Sequence, residues 1–381
     1  MGKEAKINFI ISGYYGFGNI GDEAVLAGML QQLRTIAPSS RCIVLSGDPA
    51  RTAAEHGVEA IHRLDIKALW SALRQGTVFI SGGGTLFQDV TSSRSLYYYL
   101  LMVVLARAFG LPVIVYGQGI GPFRSRWNRL LTLQILRLAG LVIVRDRGAY
   151  EQLLAWGFDG KRLCLGADPA LTLRVQPHRS SKSLLRRALG HRFLPEKPVL
   201  LVSLRPWPYL DASLPAVAGA LDQLSRRGWQ VVFVPLQLAA DYPVCQRCVE
   251  LMVEEAFLWS MPLTVQETLD LLGEADYCLG MRLHALILAA VHRVPMLGLA
   301  YDPKVESFLK ELGLLDGAFR LPVEAGKSLD RKELLSSLSR LEAERERLVR
   351  QIDQRVEEMV ARMREANRSF KGLLALVGVY R

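Results

Sequence analysis

The sequence predicts an α/β protein built from two doubly wound, Rossmann-like domains followed by a C-terminal helical tail. Three observations carry this. Short apolar runs alternate with helix-length segments in two separate series. A polar, basic, proline-containing stretch divides the two series. The last part of the chain keeps a helical apolar period with no strand in it. At 381 residues the chain is also too long for one ordinary core.

The first series places strands at 7–12, 41–46, 77–81, 112–116, 141–145 and 162–166. Between them the apolar spacing predicts helices at 22–36, 65–74, 92–109, 127–138 and 147–156. Strands alternating with helices of this length imply a parallel sheet covered on both faces. Residues 174–197, rich in Arg, Lys, Ser, His and Pro, read as a linker containing one short helix. The second series runs strand 198–204, helix 213–227, strand 230–235, helices 243–257 and 266–273, strand 276–280, helix 284–292, strand 295–300 and helix 303–312. The expected organisation is therefore domain 1–173, linker 174–197, domain 198–327 and tail 328–381. Two such domains facing across a cleft form the GT-B-like architecture.

In the tail, Leu334, Leu338, Leu341, Leu348, Ile352, Met359 and Met363 mark one apolar face by steps of three, four and seven. One long amphipathic helix or two would pack this face on the domains and leave the Arg- and Glu-rich side in water. The sharper alternative is a basic side that binds a membrane surface or a partner.

Half of the residues are hydrophobic, which excludes global disorder, and the net charge of +10 favours acidic partners. The five cysteines are scattered and odd in number, as expected for reduced, structural thiols. A lone C-x-x-C at Cys245 and Cys248 has neither a second pair nor spaced histidines, so no metal site is expected. The opening residues lack a signal-peptide layout, and the longest apolar run, 96–106, is too short to span a bilayer. A cytoplasmic protein follows, with room for peripheral contact at the inner face of the membrane.

Glycine-rich turns follow the strands of the first series. The first, from Gly13 to Glu23, holds Gly16, Gly18, Asn19 and Asp22. Gly16-x-Gly18-x-x-Gly21 matches a dinucleotide fingerprint in form. Asp22 and Glu23 at the helix start would repel a pyrophosphate, and only Asp48 could complete such a site. Acidic groups there suit sugar hydroxyls or plain capping better. The second turn, S-G-G-G-T-L-F-Q-D, offers Gly83, Gly84, Thr85, Gln88 and Asp89, flanked by Arg94 and Tyr97 to Tyr99. The third, Y-G-Q-G-I-G-P-F, carries Gln118; Arg145 sits at the next strand end, where a salt bridge with Asp146 is an equal reading.

In the second series, Arg205 ends a strand beside Trp207 and Tyr209, aromatics that stack on sugars or bases or simply pack a hinge. The stretch Gly280 to Lys304 then sets Arg282, His284 and Lys304 at the ends of two consecutive strands. Open α/β sheets bind ligands there. Two fixed cations and an imidazole suit a small, highly charged anion.

Taken together, G-Y-Y-G-F-G-N-I-G-D-E, S-G-G-G-T-L-F-Q-D, G-Q-G-I-G-P, V-R-D-R, G-M-R-L-H-A and Y-D-P-K resemble, in this order, the bacterial polysaccharide pyruvyltransferase family, over about residues 7 to 312. The chain looks most like the cell-surface-anchoring type that modifies secondary cell wall polymers. The resemblance implies a GT-B-like enzyme that moves the enolpyruvyl unit of phosphoenolpyruvate onto a sugar and releases phosphate, with no cofactor and no metal. It implies a pyruvate ketal across O4 and O6 of an N-acetylmannosamine, in a lipid-diphosphate-linked acceptor. The family's donor-site arginine, histidine and lysine fall on Arg145, His284 and Lys304.

The residues suit that chemistry on their own terms. Phosphoenolpyruvate carries close to three negative charges and calls for several cations, here Arg282, Lys304, Arg205 and Arg145. His284 is the expected general acid toward the methylene carbon, and Asp22 or Asp89 the expected base toward the acceptor hydroxyl. Gly16, Gly18, Asn19, Gly83, Gly84 and Gln118 are the expected acceptor-binding positions. Two other readings stay open: a glycosyltransferase using a nucleotide sugar, and a non-catalytic anion- or RNA-binding protein. Nucleic acid is not expected, because the basic residues do not cluster in one run and few aromatics interleave them.

Overall fold

The structure is a computed structural model and describes residues 7–175, 183–315, 319–324 and 327–376. The chain divides into two compact units, Met1–Leu173 with Glu358–Arg381, and Arg174–Glu357.

Unit 1 is a parallel sheet of β1 (Asn8–Tyr15), β2 (Arg41–Ser46), β3 (Glu59–His62), β4 (Val78–Ser81), β5 (Gly84–Phe87), β6 (Val113–Ile120), β7 (Leu141–Val144) and β8 (Leu163–Leu165). The order across the sheet is β3-β2-β1-β4-β6-β7-β8, with β5 paired to β6. Every residue of β4, β6 and β7 is buried, as a parallel sheet covered on both faces requires. The helices between them are α1 (Ile20–Ile36), α2 (Pro49–His56), α3 (Ile66–Gln75), α4 (Ser93–Ala108), α5 (Arg126–Leu136) and α6 (Arg147–Ala155). Strand order reverses after β3. Right-handed crossovers therefore put α1 and α2 on one face and α3 to α6 on the other. Asn19, Asp48, Asp65, Ser92, Ser125 and Asp146 each cap the helix that follows by accepting an amide hydrogen of its first turn.

Unit 2 begins with α7 (Ser183–Leu189) and holds a six-stranded parallel sheet. Its strands are β9 (Val199–Ser203), β10 (Gln230–Phe233), β11 (Phe257–Leu258), β12 (Tyr277–Gly280), β13 (Met296–Ala300) and β14 (Arg320–Pro322). Their order is β11-β10-β9-β12-β13-β14. The helices are α8 (Leu214–Arg226), α9 (Leu238–Leu251), α10 (Val265–Glu274), α11 (Leu283–Val291), α12 (Pro303–Glu311), α13 (Arg331–Ala343) and α14 (Arg345–Leu376). The last of these belongs to unit 2 as far as Glu357 and to unit 1 beyond it.

Several elements differ from the sequence reading. Strand β3 has only two apolar residues and lies at the sheet edge, half exposed, so no alternating pattern announced it. The short α2 has one buried residue, Thr52. Strand β5 begins inside the triple glycine that had been read wholly as a turn. Helix α9 starts at Leu238, not 243, because Pro243 lies inside it and does not open it. Residues 257–258 form β11 where helix had been expected. The expected linker is not free either: Glu274 of α10 accepts from the Leu184 and Leu185 amides of α7 at 2.9 and 2.8 Å.

The tail is two helices, and its apolar face is buried throughout, from Leu334 to Met363. In unit 2, Gln351 donates to the carbonyls of Leu312 and Gly313 at 2.9 and 2.8 Å. In unit 1, Phe370 packs edge-on against Phe9, and the Tyr116 hydroxyl donates to Asn367 at 2.8 Å. No helix among the described residues is long and apolar enough to cross a membrane.

Candidate functional site

In unit 2, β9, β12 and β13 are consecutive neighbours in parallel register. Their carboxyl ends therefore lie side by side, about 5 Å apart. Arg205 follows β9. Arg282 and His284 follow β12 in the first turn of α11, and Tyr301 and Lys304 follow β13 at the start of α12. The topology thus brings all the predicted cations of this half to one sheet edge, where open α/β sheets bind ligands.

Side-chain contacts sort these residues. Arg282 donates from Nε to one oxygen of Asp241 at 2.9 Å and from Nη2 to the other at 2.5 Å. The same Nη2 donates to Gln237 at 3.1 Å. Asp241 is fully buried, so most of the Arg282 charge is compensated inside unit 2. Arg205 differs. Its Nη1 donates to the Tyr301 hydroxyl at 2.7 Å, while its buried Nε has no acceptor among the described residues. The Tyr301 ring packs tilted against Trp207, with centroids 4.7 Å apart, and lies 4.9 Å from the Arg205 guanidinium. Lys304 Nζ sits 5.8 Å from the same ring and 3.4 Å from Asp302, which caps α12. His284 is half-buried, and its Nε2 is shielded from solvent.

Tyr301 is thus the hub that joins Arg205, Trp207 and Lys304, yet the sequence showed it only as the first letter of Y-D-P-K. Asp241 and Gln237 were missed altogether. The signal for Asp241 was an acidic residue two places before Pro243, hidden once the helix was taken to begin at the proline.

Unit 1 brings its glycine turns to the carboxyl ends of β1, β4 and β6. Asn19 accepts from the Gly21 amide at 3.2 Å and donates through its side chain to Asp22. Gly84 has φ of +95°, and a Cβ there would meet Asp22 Oδ1 at 3.2 Å. The first and second turns therefore meet at Asp22, which stays half-buried. Close behind lie the phenols of Tyr15 and Tyr99, whose pKa values are pushed up chiefly by burial and also by the Asp22 charge.

Other predicted residues of unit 1 have structural tasks. Gly16 has φ of +78°, and a Cβ on it would collide with Ser46 Oγ at 2.1 Å and the Asp48 amide at 2.4 Å. Its own amide donates to Glu23 at 2.8 Å, and Glu23 also pairs with His56 at 3.1 Å. The amide that a pyrophosphate would use is thus taken by a buried carboxylate, and Asp48 caps α2, so the dinucleotide reading fails. Gly18 has φ of +69° and faces Arg51. Gln118 is fully buried and donates to Ser81 Oγ at 2.8 Å and to the Gly82 carbonyl at 2.5 Å. It braces the triple-glycine turn that holds Gly83 and Gly84.

Asp89 is corrected most. Its buried carboxylate accepts from the Arg124 and Ser125 amides at 2.6 and 3.0 Å and from the Asn128 side chain at 2.8 Å. Burial pushes its pKa up, but these hydrogen bonds outweigh burial and hold it below the ordinary 3.8. A carboxylate so satisfied pins the start of α5 and is a poor general base. Arg145 is likewise buried. It donates to Asp168 at 3.3 Å and to Thr85 at 2.9 Å, and lies 3.6 Å from Asp146. The salt-bridge reading describes it better than that of an anion ligand. The cysteines of C-x-x-C lie on the buried side of α9, where burial lifts both thiols to about 12. No group of His, Cys, Asp and Glu among the described residues is arranged to hold a metal ion.

A family model described as polysaccharide pyruvyl transferase matches residues 19–303, from Asn19 in the first glycine turn of unit 1, through the second and third turns, to Arg205, Arg282 and His284 of unit 2. The chain belongs to the polysaccharide pyruvyl transferase family. The amylovoran biosynthesis protein AmsJ of Erwinia amylovora is 23% identical over 265 residues, 64% of this chain and 61% of AmsJ. The UDP-GlcNAc 2-epimerase of Neisseria meningitidis, solved with UDP-GlcNAc, matches with a TM-score of 0.66 at 12% identity, over 97% of this chain and 100% of that one. The S. aureus MnaA–UDP structure matches with a TM-score of 0.64 at 13% identity, over 91% and 90%. At these identities the likeness speaks for the fold, and it assigns this chain the GT-B-like class its sequence predicts.

Proposed function

We propose that this protein is a ketal-forming pyruvyltransferase of polysaccharide biosynthesis that uses phosphoenolpyruvate as donor. The observation that carries the reading is the buried Nε of Arg205, a charged donor with no acceptor among the described residues, beside Lys304 on the Tyr301 ring. A buried charged donor without a partner calls for one, and a guanidinium matches carboxylate or phosphate oxygens. Membership of the family supports a pyruvyl-bearing anion here, for which we propose phosphoenolpyruvate.

In this reading Arg205 and Lys304 hold the donor, and Arg282, fixed by Asp241, is a positioning residue that sets the first turn of α11. His284 on that turn gives a proton to the methylene carbon of phosphoenolpyruvate, which leaves C2 electron-poor. One acceptor hydroxyl attacks C2 and gives up its proton. The C2–oxygen bond to phosphate then breaks, with the departing charge held by Arg205 and Lys304. A second hydroxyl closes the ketal, and its proton leaves with the phosphate. Two hydroxyl protons are lost overall: one replaces the proton that His284 delivered to carbon, and the other is carried off by phosphate.

The acceptor we propose is a lipid-diphosphate-linked glycan containing N-acetylmannosamine, ketalised across O4 and O6 at the cytoplasmic membrane face, as in the cell-surface-anchoring type. Asn19 and Gly84 border Asp22 and, with the adjacent Gly83, are the proposed acceptor contacts. Incubation with phosphoenolpyruvate and a panel of such glycolipids, read by acceptor mass, tests the acceptor. Pyruvylation of a different sugar would move the assignment to that sugar.

A further inference from the structure

One surface of unit 1 stands apart in charge. Residues 66–144 contain eight Lys or Arg and one acidic residue, the buried Asp89. This stretch alone accounts for +7 of the net +10 of the chain. It supplies α3, α4 and α5, which are neighbours on one face of the sheet. Trp70 of α3 packs edge-on against Phe109 at the end of α4 with centroids 4.6 Å apart, and Tyr97 of α4 donates to Asn128 of α5 at 2.9 Å. Among the described residues, the ion pairs of unit 1 involve no residue of these three helices.

The same helices turn apolar side chains outward. Trp127 is 80% exposed, Leu101 51%, and Tyr97 and Trp70 48% each. Tyr97, Leu101 and Val104 follow one another by four and three, a solvent-facing stripe on a helix whose opposite side is core. Trp127 with Leu130 and Leu131 repeats the arrangement on α5. Contiguous exposed apolar surface of this kind marks an interaction site.

We propose that the face formed by α3, α4 and α5 docks unit 1 on an anionic phospholipid surface. The charge selects the occupant. A second copy related by a two-fold axis would bring this arginine-rich face against itself. A nucleic acid would satisfy the arginines but would leave aliphatic Leu101, Val104, Leu130 and Leu131 against water or phosphate. A leaflet satisfies both, since aliphatic and indole groups enter the acyl boundary while Arg124 and Arg126, both exposed, meet phosphate headgroups. The tail helices, by contrast, have their apolar face buried in the fold. The inference rests on surface chemistry and stands whatever the acceptor sugar is.

The test is co-sedimentation of the full chain with vesicles of phosphatidylcholine alone and of phosphatidylcholine mixed with phosphatidylglycerol. Binding is expected only to the mixed vesicles and is expected to weaken with salt. Arg124→Glu with Arg126→Glu should lower the affinity by about tenfold or more, since each basic residue near an anionic surface adds roughly 1 kcal/mol. Both positions lie at the start of α5, where a carboxylate favours the helix dipole, so the fold is kept. Trp127→Ser with Leu131→Gln should weaken binding even at low salt. Equal binding to both vesicle types, or binding that neither pair of substitutions changes, would overturn the proposal. So would light scattering that shows a dimer dissociated by these substitutions, or RNA binding lost with them in place of vesicle binding.

Discussion

Arg282 and Asp241 form a two-pronged, buried ion pair at the start of α11, with bonds of 2.9 and 2.5 Å. The arginine of the R-L-H sequence is therefore a bracket between α9 and the turn that carries His284. Breaking a buried pair by removing one partner costs about 3–5 kcal/mol, because the other charge is left alone. Asp241→Asn should lower unfolding stability by that order in denaturant titrations. Replacing both partners with apolar residues should cost less than the two single changes combined.

Tyr301 fixes the Arg205 guanidinium through one hydrogen bond at 2.7 Å. Tyr301→Phe keeps the ring against Trp207 and Lys304 but removes the acceptor. The expected effect is a loss of about 1 kcal/mol in donor binding, seen as a several-fold rise in KM for phosphoenolpyruvate with kcat little changed.

Asp22 is a carboxylate of unit 1 that the first and second glycine turns both approach, whereas Asp89 is held by three donors. Asp22→Asn should lower kcat by about 10²-fold or more while the titrated affinity for phosphoenolpyruvate stays as in the wild type. Equal kcat in this variant would remove Asp22 as the base.

Asp89 links stability to pH. Its folded pKa lies below the ordinary 3.8, so the folded state favours the ionised form. The stabilisation is complete above the unfolded value and is lost as pH falls through the folded one. Asp89→Asn should therefore flatten the decline in stability as pH falls through and below the ordinary 3.8. Its effect at neutral pH should be a loss of about 1–3 kcal/mol from weakened hydrogen bonds to the α5 start.

Much of this was legible in the sequence because a doubly wound sheet writes itself as apolar runs at regular intervals. The fully buried strands β4, β6, β9 and β13 and the apolar face from Leu334 to Met363 are of that kind. Elements without an apolar run, such as β3 and α2, gave no period to read. The site divided in the same way. Topology set Arg205, His284 and Lys304 at one edge, and strand ends are readable. Side-chain partners are not. No spacing rule links Arg282 to Asp241 across 41 positions, or Arg205 to Tyr301 across 96. Asp89 reads as a base and Gln118 as an acceptor contact because polar residues in glycine turns look alike until their hydrogen bonds are known.

The most direct measurement is phosphate release from phosphoenolpyruvate, with and without a glycolipid acceptor, in the wild type and in His284→Ala. The proposed mechanism gives acceptor-dependent phosphate matched by one pyruvyl unit on the glycan, lowered by about 10²–10⁴-fold in the variant with its fold intact. Release of a nucleoside diphosphate from a nucleotide sugar, with no turnover of phosphoenolpyruvate, would contradict it.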